Sequence, residues 1–378
     1  MSADTVDADG NHSGAIFSRH QTIDIAKGLG IFLVVLGHNW MVAHEHGELF
    51  RVIFSFHMPL FFFLSGVFLK ESRRLSDFAF TKADAILKPY IVVLLCWGLL
   101  RILLSGVSWS AYLSGVIYAT GNTIEWVPLW YLPHLFLSLL FVFVLLRITG
   151  SFQCGNNSLL YLSLAMLGAG VLVMHTEWPF SSETLQYWNR LLNDSQDYFP
   201  GLPWSADLIG VSAAFILAGY ALKEHIVHFC FHRIYFLAAL FCFVILHILF
   251  DETMDLHMRH YGQFWIVSAQ AILGIYLTLS LSFLLQRCHT AARILAYIGG
   301  STLFILIFHS WIEWKIFSLC SKYMQNDDLK AFVSLFFGLL LPLLLQAMVV
   351  RIPFLARCLL PSAKRKTSRT VLAINTDQ

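Results

Sequence analysis

The chain has 378 residues, is 57% hydrophobic and 13% charged, and has a mean hydropathy of +0.67, where soluble domains carry roughly 25% charged residues. Such a composition excludes an ordinary soluble domain and describes an all-α integral membrane protein. A net charge of +2 creates no global field for nucleic acid, so no nucleic-acid partner is expected.

The first 22 residues are polar and lack the basic start and apolar core of a cleaved signal peptide. They are expected to form a cytoplasmic tail (1–22) ahead of a membrane domain spanning 23–358. A spanning helix needs about 20 apolar residues. Ten segments qualify, at 24–43, 50–70, 86–106, 127–147, 157–175, 205–222, 233–251, 262–286, 293–318 and 329–357. The run 107–126 reads as a surface or re-entrant piece. Most of the 25 Lys and Arg fall in alternate connections and in the two tails, which predicts that both termini are cytoplasmic. Residues 359–378 form the basic C-terminal tail, expected to touch anionic lipid.

The longest connection, 176–204, falls on the outer side. Its Trp and Tyr residues suit headgroup anchoring, with sugar stacking as the second reading. No internal repeat supports a transporter built from two similar halves. The seven cysteines are scattered without a CxxC pair and read as packing residues, not as a disulfide frame or metal site.

Ionisable residues inside spanning helices are costly and mark function. On the first helix Asp24, Lys27 and His38 point at about 0, 300 and 320 degrees, which makes one polar stripe. Counted from the outer end, His38, His57, His134 and His309 lie roughly 8 to 14 Å deep, so four helices could share a chamber. Thr302, His309 and Glu313 share a face of the ninth segment, and Glu313 could orient His309 or hold its proton. Taken singly, His57, His134 and His309 also read as interhelical hydrogen-bonding residues, and Asp24 with Lys27 as an interfacial ion pair. The histidine pairs and triplet in the loops show no convincing metal-ligand spacing, and no metal is expected.

The run D-x-x-K-G-x-G-I-x-L-V-V-L-G-H at 24–38, followed by FHMPLFFFLSG, LWYLPHLF and GGSTLFILIFHS in the same order, resembles the acyltransferase family 3 membrane proteins. Within it, the chain looks most like the fucose 4-O-acetylase-like sugar O-acetyltransferases. The resemblance implies ten helices, acetyl-CoA drawn from the cytoplasm as acyl donor, and an acetylated sugar hydroxyl at the outer face of a bacterial inner membrane. It makes His38 the essential histidine. Eleven residues before it many members have an Arg tied to the donor; this chain has Lys27, which lacks a bidentate grip on phosphate. An appended esterase-like domain is not expected, since only about twenty residues follow the tenth helix.

His38 is thus the expected general base or acetyl-carrying nucleophile, with Glu313 or His309 orienting it. Lys27, Asp24, Arg73 and Arg74 are expected at the donor, with Lys82 and Lys88 in support. Expected acceptor-side residues are His57, His134, Trp130, Tyr131 and Ser65. The expected partners are a lipid-linked oligosaccharide or polysaccharide, such as the mannose of a xanthan-like exopolysaccharide, together with membrane lipids and other polysaccharide-assembly proteins. The competing classes are a glycan transporter without acyl transfer, and a haem or metal protein built on the histidines.

Overall fold

The computed structural model describes residues 10–45, 47–70, 74–105, 108–151, 155–176 and 201–362. Residues 177–200 of the connection expected on the outer side at 176–204, Arg73 and the tail from 363 lie outside these residues. Nine helices among the described residues are long and apolar enough to cross a membrane, and Arg233–Leu249 is a shorter apolar helix of 17 residues. The protein is therefore an all-α multi-pass membrane protein. Among the described residues one hairpin pairs β1 (Met254–Asp255) with β2 (His260–Tyr261).

Several spans that read as continuous are interrupted, and proline explains most of the breaks. The segment expected at 50–70 divides into α3 (Glu48–Phe54) and α4 (His57–Val67). Pro59 lacks an N–H, and its ring would strike the carbonyl of Ser55 in an unbroken helix; the chain opens at Ser55 and Phe56. The same clash falls between Pro89 and Ala85. There α5 (Leu75–Lys82) passes through a π-turn at Ala83–Leu87 into α6 (Lys88–Ser105), which relieves it. Pro353 ends α16 (Asp327–Arg351) and begins α17 (Pro353–Leu359), because the residue before a proline avoids helical geometry.

Two further breaks lack a proline. The first span, α1 (Gly10–His38), stops at Asn39, whose side-chain oxygen accepts from Met41 N, and α2 (Trp40–Glu45) follows. The segment expected at 293–318 divides at Ser301 into α14 (His289–Gly300) and α15 (Thr302–Cys320). The run expected as a surface piece holds α7 (Trp109–Tyr118), a ten-residue helix ended by Ala119 at φ 58°. Between these lie α8 (Tyr131–Ser151), α9 (Asn156–His175), α10 (Ile209–Ala221), α11 (Lys223–Val227), α12 (Arg233–Leu249) and α13 (Phe264–Leu285).

Packing centres on α10, which is buried along most of its length between α9, α4 and α8. On the other side, α1 packs against α14, α13 and α15. In lipid the hydrophobic effect does not hold helices together, so close contact and small residues must. At the α1–α14 crossing a Cβ on Gly28 would stand 2.1 Å from Leu295 O, and one on Gly299 would stand 1.9 Å from Asp24 O. Gly66 of α4 and Gly219 of α10 make the same reciprocal approach, at 1.9 Å from Ile216 O and 2.0 Å from Phe63 O. Only glycine permits backbones this near.

Gly28→Val and Gly299→Val are expected to destabilise the detergent-solubilised protein by about 1 to 3 kcal/mol each, as overpacking does. Thermal unfolding measures this; unchanged midpoints would mean that the two helices do not cross here.

Candidate active site

A cavity of about 400 Å³ lies inside the helical domain. Its wall on α1 is formed by Lys27, Ile31, Val34 and His38, residues three and four apart and hence on one helical face. On α4 it is lined by His57, Met58, Phe61, Leu64 and Ser65, and the π-turn region contributes Lys82, Ala85 and Ile86. Trp130, just before α8, and Tyr131 at its start, with Thr302, Leu303 and Leu306 of α15, close it. Between Lys27 and His38 it extends about 16 Å along α1, from the rise per residue.

At one end are the two lysines. The ammonium of Lys27 lies 3.1 Å from Asp24 Oδ1 and 4.0 Å from the centroid of Phe68. Asp24 itself does not line the cavity; it holds Lys27 from the side. Lys82 lines the same end, whereas Arg74 does not, and Arg73 is not among the described residues. Lys88 points elsewhere, bonding Asp84 Oδ1 at 2.6 Å and Leu360 O at 2.7 Å.

At the other end the four histidines take different places. His38 is solvent-accessible, while His57, His134 and His309 are 3%, 0% and 0% exposed. His38 makes no hydrogen bond among the described residues; its ring meets Phe54 edge-on at 5.9 Å and His309 at 5.5 Å between centroids. His57 also lines the cavity and donates from Nδ1 to Ile53 O at 2.9 Å. This fixes its tautomer and leaves Nε2 as the basic nitrogen. His134 does not reach the cavity: its Nδ1 donates to Trp204 O at 3.2 Å, and Phe62 packs against its ring. The shared chamber therefore holds two of the four, with His309 behind His38.

His309 donates from Nδ1 to Ile305 O at 2.8 Å and Leu306 O at 3.1 Å. Its Nε2 is buried, carries the lone pair, and has no partner among the described residues. Glu313 does not bond His309. Its Oε1 accepts from Asn39 Nδ2 at 2.8 Å, and Asn39 also donates to Ala331 O at 3.0 Å and Ser334 Oγ at 3.1 Å. Sequence reasoning passed over Asn39. The available signal was an amide inside an expected span, next to a histidine, where hydrocarbon would penalise it.

At this end the chain is capped by the hairpin. Arg259 bonds Asp207 at 3.0 Å and Ser205 Oγ at 3.2 Å. His257, 6.1 Å from Trp130 between ring centroids, is pushed below the usual imidazole range by burial.

Fold and cavity define a multi-pass membrane protein that shelters an accessible imidazole at one end of an internal chamber and two ammonium groups at the other. A histidine of a spanning segment that opens onto an internal cavity is a candidate for function. The acyltransferase 3 family model, described as an acyltransferase domain, matches residues 20–351. The chain belongs to this family and is a membrane acyltransferase; the transporter reading is not favoured. No curated protein and no solved structure matches it.

Asn39→Ala removes the donor to a buried carboxyl group and is expected to cost about 1 to 3 kcal/mol. Combined with Glu313→Ala, the two losses should fail to add by about 0.5 to 3 kcal/mol. Thermal unfolding of both single variants and the double variant checks this, and simple additivity would show that the pair does not act as a unit.

Proposed function

We propose that the protein is an O-acetyltransferase that moves an acetyl group from acetyl-CoA to a hydroxyl of a sugar in a lipid-linked or polymeric cell-surface glycan, such as an exopolysaccharide. The observation that carries this reading is the accessible imidazole of His38 at the opposite end of one cavity from Lys27 and Lys82. Two ammonium groups at a cavity mouth suit the phosphates of coenzyme A as point charges. The apolar length between, lined by Ile31, Val34, Phe61 and Leu64, suits the uncharged pantetheine arm. The ends then divide the labour, with Lys27 facing the cytoplasm and His38 the outer side, in a bacterial inner membrane of ten spans with both termini inside.

Transfer needs a base and a fixed geometry. His38 takes the proton of the sugar hydroxyl as its oxygen attacks the thioester carbonyl. The C–O bond forms, the C–S bond breaks, and His38 returns the proton to the departing thiolate. His309 is a positioning residue: its unpartnered Nε2 stands beside the His38 ring and can accept an N–H from it, which would leave the other nitrogen of His38 basic. Glu313 acts one step further out by holding Asn39, the neighbour of His38. His57, Ser65, Trp130 and Tyr131 line the chamber, and His57 and Trp130 are assigned to the acceptor side. Ser65 lies three residues from Phe68, whose ring meets Lys27, toward the donor end, and His134 supports Trp204 outside the lining.

His38→Ala is expected to remain folded and to lose about 10² to 10⁴ in acetylation rate, the span of general base catalysis. Transfer of radiolabelled acetyl to glycan measures it, and undiminished transfer would end the proposal. Lys27→Met should raise KM for acetyl-CoA by about tenfold while leaving KM for the acceptor unchanged, as loss of a ground-state contact does. Equal effects on both substrates would remove Lys27 from the donor site.

A further inference from the structure

A second cavity, of about 470 Å³, adjoins the first at the His38 end. Pro128 lines both, and the adjacent residues Leu306 and Ile307 of α15 face one cavity each. The second cavity is walled by tryptophan. Trp97, Trp126 and Trp311 stand 5.6, 5.9 and 6.1 Å apart between ring centroids, and Trp314 flanks them.

Polar groups are set among these rings. Glu125 accepts from Trp97 Nε1 at 2.8 Å and from Arg101 Nε at 3.0 Å. The ammonium of Lys315 lies 4.4 Å from the centroid of Trp314. Trp126, on the cavity wall, has a buried indole N–H with no partner among the described residues.

Tryptophans near a membrane surface often form an interfacial belt, in which single indoles meet headgroups around the perimeter. Here the rings pack on one another and enclose a space. An aromatic face carries negative charge density and its rim positive, so it accepts the apolar C–H face of a pyranose. Around that face, a carboxylate, a guanidinium and an ammonium supply the acceptors and donors that hydroxyls need. Arg101 is neutralised by Glu125, so the cavity is not built chiefly for a phosphate. Its lipid-facing border is apolar: Leu100 and Leu104 are 44% and 76% exposed.

We propose that this tryptophan cavity is a glycan subsite, binding a sugar of the lipid-linked acceptor so that a neighbouring residue of the same saccharide reaches His38. The inference rests on the acetyltransferase reading above. It adds a specificity site that the reacting chamber does not contain.

Two arms test it on the full-length protein in lipid nanodiscs. In the first, methyl glycosides of glucose, mannose and fucose are examined by saturation-transfer NMR, with glycerol phosphate as the headgroup probe. A glycoside signal in the wild type is expected to persist in His38→Ala and Trp311→Phe and to vanish in Trp311→Leu and Trp126→Leu. No glycoside signal dependent on these tryptophans, or a signal from glycerol phosphate alone, overturns the proposal.

The second arm follows labelled acetyl-CoA with total glycolipid extract as acceptor. Trp311→Leu should raise the acceptor KM on the order of tenfold with kcat and the acetyl-CoA KM unchanged, the mark of a lost uniform-binding contact. An unchanged acceptor KM in an active enzyme sinks the subsite alone. A wild type that binds glycoside but transfers no acetyl sinks the acetyltransferase reading instead.

Discussion

An ammonium and an imidazole on one spanning helix cannot both face hydrocarbon, and this constraint organises the molecule. The helix must turn its Lys27–His38 face toward a protein-lined space, because charged and polar groups left to lipid cost several kcal/mol each. Its remaining faces must then be sealed. The reciprocal approach of Gly28 to Leu295 and Gly299 to Asp24 seals one of them at backbone distance, beside Lys27. The same stretch of helix thus supplies a cation to the cavity and the tightest contact behind it.

Broken helices shape the opposite wall. The opening at Ser55 and Phe56 ends α3 with Phe54 against His38 and starts α4 with His57 in the cavity. At Pro89 the π-turn displaces the chain where Ala85 and Ile86 meet the cavity, with Lys82 just before the turn. α1 itself stops at His38, and Asn39, freed from the regular helix, reaches Glu313 and α16. Irregular backbone in a membrane protein is tolerated where protein or a cavity surrounds it, and these breaks lie beside the cavity or its lining.

Much of this was legible in the sequence, for identifiable reasons. Long apolar runs show the membrane class and nearly all the spans, since few other arrangements satisfy backbone groups in lipid. Helical phase placed Lys27 and His38 on one face, and depth counting brought His57 to the level of His38. The depth estimate also gathered His134, which a rise per residue cannot exclude: it measures height, not direction across the bundle. The pairing of Glu313 with Asn39, and not with His309, depends on how α15 sits against the end of α1, which no local pattern encodes. The expected spans at 50–70, 86–106 and 329–357 run through Pro59, Pro89 and Pro353, and because Pro342 sits inside the unbroken α16, proline alone does not say where a span opens. The tryptophans of the second cavity come from three separate stretches of chain, and nothing in any one stretch signals the others.

The two cavities also bear on how a group crosses the membrane. An alternating carrier needs two conformations and a binding site that changes its exposure. Here the lysines and the accessible histidine share one continuous chamber of about 400 Å³, so the proposed donor, anchored at one end, would present its acyl carbon at the other without helix rearrangement. Under the proposed reading, Pro128, common to both cavities, would stand between the reacting hydroxyl and the rest of its saccharide. On the proposed acetyltransferase reading, the transferred group would travel by the reach of its carrier, and the protein would need only to hold the ends of the two substrates in register at His38.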